Sequence, residues 1–145
     1  MNTDEIDRIV RSHNCEIFDG VFSSDTLPLH PRLLVSNTKP AKHPGQHWVA
    51  LRINSETGEG EFFDPLGRPP NSVFARYLDK RCSSSWTYNN QQLQSIISTF
   101  CGYYCIYFCL LRCNGLDMRK IIQTLTSDTA LNDSIVHKLI CLRHI

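Results

Sequence analysis

Residues 101–113 read Cys-Gly-Tyr-Tyr-Cys-Ile-Tyr-Phe-Cys-Leu-Leu-Arg-Cys, and this stretch decides the fold. It is apolar on nearly every side and runs into Asn114-Gly115, a pair that ends helices. A helix without a polar face belongs at the centre of a domain, wrapped by other elements. Ser98 and Thr99, just ahead of it, are the candidate N-caps.

Working outward, the chain supplies a small sheet and several lesser helices to do the wrapping. Trp48 to Ile53 alternates and is rich in β-formers; Asn54 to Gly60 holds turn residues, and Glu61-Phe62-Phe63-Asp64 returns as a hairpin partner. Pro65, Gly67, Pro69 and Pro70 end that strand. Ile17 to Phe22 and Arg32 to Val35 read as short extended segments, and Trp86 to Asn89 as another strand. Thr3 caps a short helix through Asp4 to Arg11, Val73 to Lys80 has helical spacing, and Met118 to Leu125 and Asp133 to Leu142 are amphipathic. Without repeats or linkers, this order reads as one α+β domain over residues 1–145.

Composition narrows the function classes. The chain has 145 residues, 41% hydrophobic and 20% charged, which is globular usage. Fifteen basic against 14 acidic residues leave +1, so a broad electrostatic nucleic-acid footprint is excluded. Lys39, Lys42, Arg68, Arg76, Lys80 and Arg81 could form a local patch, although a solvated face is the favoured reading. No apolar run reaches a membrane span, and the acidic N-terminus lacks the features of a signal peptide, an intracellular pattern. Seven cysteines, an odd count without a secretion signal, point to mostly reduced thiols.

Four residues form a candidate chemical constellation. Cys101 opens the central helix, where the helix field favours a thiolate, and Gly102 beside it leaves room for a substrate backbone. Cys105, Cys109 and Cys113 repeat every four residues behind it; this stripe lacks the knuckle spacing of structural zinc sites and reads as core packing. His47 opens the first hairpin strand after Pro44-Gly45-Gln46, and Asp64 ends its partner, so the carboxylate can orient the imidazole. Gln94 is a side-chain donor for an oxyanion, joined by the Cys101 backbone N–H. Each has a plainer reading: a packed thiol, a surface histidine, a turn-capping aspartate, one glutamine among three.

Gly45-Gln46-His47-Trp48-Val49-Ala50, Phe63-Asp64-Pro65-Leu66-Gly67, Gln94-Ser95 and Cys101-Gly102-Tyr103-Tyr104-Cys105 resemble, in order and interval, the active-site blocks of the adenain family of adenovirus cysteine endopeptidases. Leu34-Val35-Ser36-Asn37-Thr38 is similar too, and the resemblance runs from about Phe18 to Leu111. It implies a papain-like α+β fold of the adenain and SUMO-protease group, with the nucleophile on a central helix packed on a small mixed sheet. It implies His47 as general base, Asp64 as its orienting carboxylate, Gln94 as oxyanion donor, Cys101 as nucleophile and Trp48 as a packing neighbour. The implied activity is cleavage after glycine-containing sites in viral capsid and core precursors, in the host nucleus and virion.

The chain also departs from the family. Adenain has a glutamate where Asp64 stands, whereas SUMO proteases use aspartate. The family's longer C-terminal portion is missing, which implies a compact relative from a small adeno-like DNA virus or a virus-like DNA transposon. The chemistry requires no cofactor and no metal. The resemblance nonetheless implies an activating peptide, disulfide-linked at Cys82, and DNA as partners, besides precursor polypeptides and without a membrane. Three alternatives stay open: an isopeptidase acting on ubiquitin-like modifiers, a catalytically degenerate virion-binding module, and a metal-binding domain built on the helical cysteines.

Overall fold

The computed structural model describes residues 1–39, 41 and 47–142. The Pro44-Gly45-Gln46 lead into His47, Lys42 of the basic group, His43 and His144 lie outside the described residues.

Five strands form one mixed sheet in chain order: β1 (Phe18–Phe22), β2 (Leu33–Asn37), β3 (Trp48–Ile53), β4 (Gly60–Phe63) and β5 (Trp86–Tyr88). The outer pairs β1–β2 and β4–β5 are parallel, and β2–β3 and β3–β4 are antiparallel. Helices α1 (Thr3–Arg11), α3 (Cys101–Cys113), α4 (Met118–Gln123) and α5 (Thr129–Leu142) gather at one face, and α2 (Ser72–Arg81) covers the other. Alternation along the strands divides the core accordingly. Val35, Trp48, Ala50 and Phe63 face α3, while Leu34, Val49, Leu51, Ile53 and Phe62 meet Phe74 and Leu78 of α2. A sheet covered on both faces explains why β2 and β3 read as nearly continuous apolar runs.

The central helix is buried as its sequence requires. Tyr104, Cys105, Ile106, Phe108 and Cys109 are fully enclosed, and Phe63 stacks on Phe108 with centroids 4.7 Å apart. Its length and its end at Asn114 agree with the sequence reading. Its start at Cys101 agrees too, but the N-cap is Phe100, with no side-chain hydrogen bond, in place of Ser98 or Thr99. The first helix is likewise capped by Asn2, whose side chain accepts from the Glu5 N–H, and not by Thr3. Asp64 and Asn89 fall just beyond β4 and β5 instead of ending them.

The thiols also need correction. Cys15 and Cys113 form a disulfide that joins positions 98 residues apart, tying the segment after α1 to the last residue of α3. Cys113 therefore serves as a cross-link and not only as packing. Cys82, Cys101, Cys105, Cys109 and Cys141 are free.

Candidate active site

The site lies where the N-terminus of α3 meets the ends of β3 and β4. His47 sits one residue before β3, and its carbonyl accepts from the Thr38 N–H at 3.0 Å, which carries the β2–β3 pairing one step further and pins the main chain. Its Nε2 lies 2.7 Å from Asp64 Oδ1. With Nε2 committed to the carboxylate, Nδ1 is the nitrogen left for a second partner.

Cys101, a residue only 6% exposed, interacts with the same imidazole. Burial opposes the thiolate. A hydrogen bond with His47, backbone N–H bonds from Trp48 and Gly102, and the His47 charge outweigh it, so the Cys101 pKa is lowered. The same contact appears from the other side. Burial opposes the imidazolium, but the bonds to Asp64 and Cys101 and their charges raise His47 from 6.5 to about 9. Opposite shifts on two adjoining groups favour the imidazolium and the thiolate together.

Asp64 is held before it touches the imidazole. It is 4% exposed, and its Oδ1 also accepts from the Leu66 N–H at 2.8 Å. Asp64-Pro65-Leu66-Gly67 closes as a turn, the Gly67 N–H donating to the Asp64 carbonyl at 2.8 Å, with proline and glycine where such a turn favours them. Gly67 adopts φ +75, and a Cβ there would stand 2.7 Å from the Gln91 carbonyl carbon.

Asn89 was not singled out in the sequence. It is 2% exposed; its Oδ1 accepts the Asp64 N–H at 2.9 Å and its Nδ2 donates to the Asp64 carbonyl at 2.6 Å. The available signal was weak: an asparagine closing a short strand, beside a second asparagine and two glutamines.

Gln94 is 3% exposed and belongs to the same packed segment. Its main-chain N–H and that of Leu93 both donate to the Pro65 carbonyl at 2.9 Å. Its Nε2 donates to the Ser98 carbonyl at 3.0 Å, leaving one amide hydrogen uncommitted, and its buried Oε1 has no partner among the described residues. His47, Asp64 and Cys101 are thus directly linked, and Gln94 joins them through Pro65 and the loop leading to α3.

Cys82 is remote from this group. It packs in the cluster on the opposite face of the sheet at 8% exposure, and burial, followed by Asp79, raises its thiol. A disulfide partner there would have to open that packing. Among the described residues, no group of three or more His, Cys, Asp or Glu could hold a metal ion, and no helix is long and apolar enough to cross a membrane.

No protein-family model matches the chain. In sequence it is 27% identical over 104 residues to a protease of bovine adenovirus 7, with 63% of this chain and 52% of that protease covered. The chain thus spans about half the length of that curated relative. In structure it is similar to an ASFV protease, with TM-score 0.65 and 17% identity over 94% of this chain and 66% of the other. It is also similar to the SUMO protease Ulp1, solved with its catalytic cysteine oxidised to a sulfenic acid, with TM-score 0.51 and 14% identity over 99% and 78%. At such identities the structural likeness is one of fold.

Proposed function

We propose that this chain, which has the fold of the adenain and SUMO-protease group and is similar in sequence to an adenovirus protease, is a cysteine endopeptidase. One observation carries the reading: His47 is bonded through Nε2 to Asp64 at 2.7 Å and also contacts Cys101, with the two pKa values displaced in opposite directions.

In this reading the Cys101 thiolate attacks the scissile carbonyl carbon, forming a C–S bond as the carbonyl electrons move onto oxygen. Helix-terminal backbone N–H groups and the uncommitted Gln94 amide hydrogen stabilise the oxyanion. Collapse breaks the C–N bond, and the His47 imidazolium gives its proton to the leaving amine. Neutral His47 then takes a proton from water, whose oxygen attacks the thioester. Loss of the carboxylic acid returns the thiolate and the imidazolium. Asp64 holds the ring and its charge throughout.

Glycine at the cleavage site belongs to the proposal. A Cβ on Gly102 would stand 3.2 Å from Met1 Sδ and 3.4 Å from Trp48 Cδ1, so position 102 itself is kept small by packing; the preference for glycine in the substrate is taken from the resemblance. Maturation of viral capsid or core precursors is the role we assign by resemblance to the adenovirus enzymes, and an activating peptide or DNA rests on that resemblance alone. Purified protein should cleave a Gly-Gly-type peptide, and Cys101→Ala should abolish cleavage; turnover surviving that substitution would refute the assignment. A second reading, removal of ubiquitin-like modifiers, is favoured by the aspartate at position 64 and the likeness to Ulp1. Labelling of Cys101 by ubiquitin-like C-terminal probes, with no cleavage of linear Gly-Gly peptides, would select it.

A further inference from the structure

We propose that Asn89 is a positioning residue for this site, holding Asp64 where its carboxylate can sustain the His47–Cys101 pair. The inference rests on the proposed function and extends it to a side chain that touches no reacting atom.

The argument starts from the end of the sheet. The parallel β4–β5 ladder has its last register pair at Phe62 and Tyr88. Asp64 lies beyond it, where its main-chain N–H is inside the protein and has no strand to pair with. A buried N–H without an acceptor is costly, so something must take it. Asn89 does so with one carboxamide, its oxygen on the Asp64 N–H and its nitrogen on the Asp64 carbonyl. A primary amide bonded in this way imitates a neighbouring strand and extends the ladder by one side-chain rung. The Nδ2 also reaches the Gln91 carbonyl at 3.4 Å, and the group is otherwise enclosed at 2% exposure.

The rung has a further reach. Asn89 begins the segment that continues to Gln94, and that segment is fastened to the aspartate turn at three successive points. They are Asn89 on Asp64, the Gln91 main chain against Gly67, and the Leu93 and Gln94 N–H groups on the Pro65 carbonyl. At its far end Tyr104 Oη and Asn132 Nδ2 both donate to the Leu93 carbonyl, at 3.2 and 3.1 Å. The acid and the proposed oxyanion donor thus sit on two strands of one fastening. Asn89 is the one side chain in it that grips the acid's own main chain at both its N–H and its carbonyl. Releasing it frees Asp64 to rotate away from Nε2.

The test uses Cys101 itself. The pH dependence of its alkylation by iodoacetamide, resolved by peptide mass spectrometry, is measured in the native chain and in Asn89→Ala, with folding checked by circular dichroism. The native chain should show a reactive limb below the ordinary thiol range. In Asn89→Ala that limb should move up by about one pH unit, making alkylation near pH 6 about tenfold slower. The exposed Cys141 should be unaffected. Should the alanine variant not fold, Asn89→Gln serves. It keeps both hydrogen-bonding groups but is one methylene too long, and a smaller shift in the same direction is expected. A purely structural role would lower the melting temperature and leave the limb in place, and that result in the folded variant would overturn the proposal while leaving the proposed function standing. A native Cys101 without any low-pH limb would instead overturn the site reading beneath it.

Discussion

Replacing Asp64 by asparagine removes a charge and little else. Asp64 Oδ1 receives two hydrogen bonds, from the Leu66 N–H at 2.8 Å and from His47 Nε2 at 2.7 Å, and a carboxamide oxygen can accept both in place. What disappears is the negative charge facing the imidazole. Burial alone would push His47 down; the bond to Asp64 comes next in size and, with the Cys101 contact and both charges, carries it from 6.5 to about 9. That rise corresponds to about 3 kcal/mol of preference for the imidazolium, shared between Asp64 and Cys101 with Asp64 the larger. Without that charge the imidazolium is held less firmly, and the Cys101 thiolate loses part of its counter-charge. We expect Asp64→Asn to lower kcat/KM for a Gly-Gly peptide by about two to three orders of magnitude at neutral pH, mostly in kcat.

The pH profile supplies the sharper readout. A depressed Cys101 makes the thiolate appear, as pH rises, before an ordinary thiol would ionise, which sets the acid limb. A raised His47 keeps its proton through neutrality and releases it as pH rises through about 9, which sets the alkaline limb. If the proposed reaction holds, the native protein should show a bell whose alkaline side lies near 9, and Asp64→Asn should draw that side down toward neutrality. The assay is kcat/KM across roughly pH 5 to 10, paired with an NMR titration of the His47 ring protons. If Asp64→Asn kept its alkaline limb near 9 and lost less than about threefold in rate, the carboxylate would not be what sustains the imidazolium.

Near pH 6, alkylation should select Cys101 over Cys105 and Cys109, which are fully enclosed and whose thiols burial pushes up; equal modification of all three in the folded protein would contradict the ion pair. Gly67→Ala should destabilise the fold by at least about 1–2 kcal/mol for its left-handed backbone, more where the new Cβ meets Gln91, and an unchanged urea midpoint would count against the turn described here. Cys15→Ser should lower stability by about 2–5 kcal/mol under oxidising conditions and by nothing once reductant is present, because the cross-link spans 98 residues; urea unfolding with and without dithiothreitol checks both halves.

Much of the arrangement was legible where a local pattern had one physical solution. An all-round apolar run of helical length must be central, and α3 is. The β3–β4 hairpin was visible because its β-forming residues and turn residues agree, and it brought His47 and Asp64 together because the ends of paired strands are neighbours. What escaped depends on partners far away in the chain. Nothing near Asn89 announces that it will meet a backbone 25 residues earlier, since its role exists only once β5 pairs with β4. Nothing near Cys15 points to Cys113 until α1 and β1 are laid against α3. The helix caps failed for a different reason. Ser98 and Thr99 are good capping residues, but the chain before α3 takes part in another structure. The Ser98 carbonyl is held by Gln94, and Phe100 stacks on His137 at 4.7 Å, so the helix begins at the aromatic residue without a side-chain cap.

That uncapped start bears on the chemistry. Along α3 the same side chain recurs at 101, 105, 109 and 113, and its properties change completely in three turns. At the C-terminal end Cys113 is half-buried within reach of Cys15 and is spent in a disulfide. In the middle, Cys105 and Cys109 have neither water nor a cation to stabilise a thiolate, and burial leaves them as small apolar residues. At the N-terminal end burial is almost as complete, so exposure does not single out Cys101. The difference lies in the donors: the imidazolium of His47 and the N–H groups of Trp48 and Gly102 converge on one sulfur. A serine or threonine cap would have placed an acceptor oxygen among those N–H groups and competed for them. Leaving the first turn uncapped keeps its field directed at the thiolate and, in the proposed reaction, at the oxyanion that forms beside it.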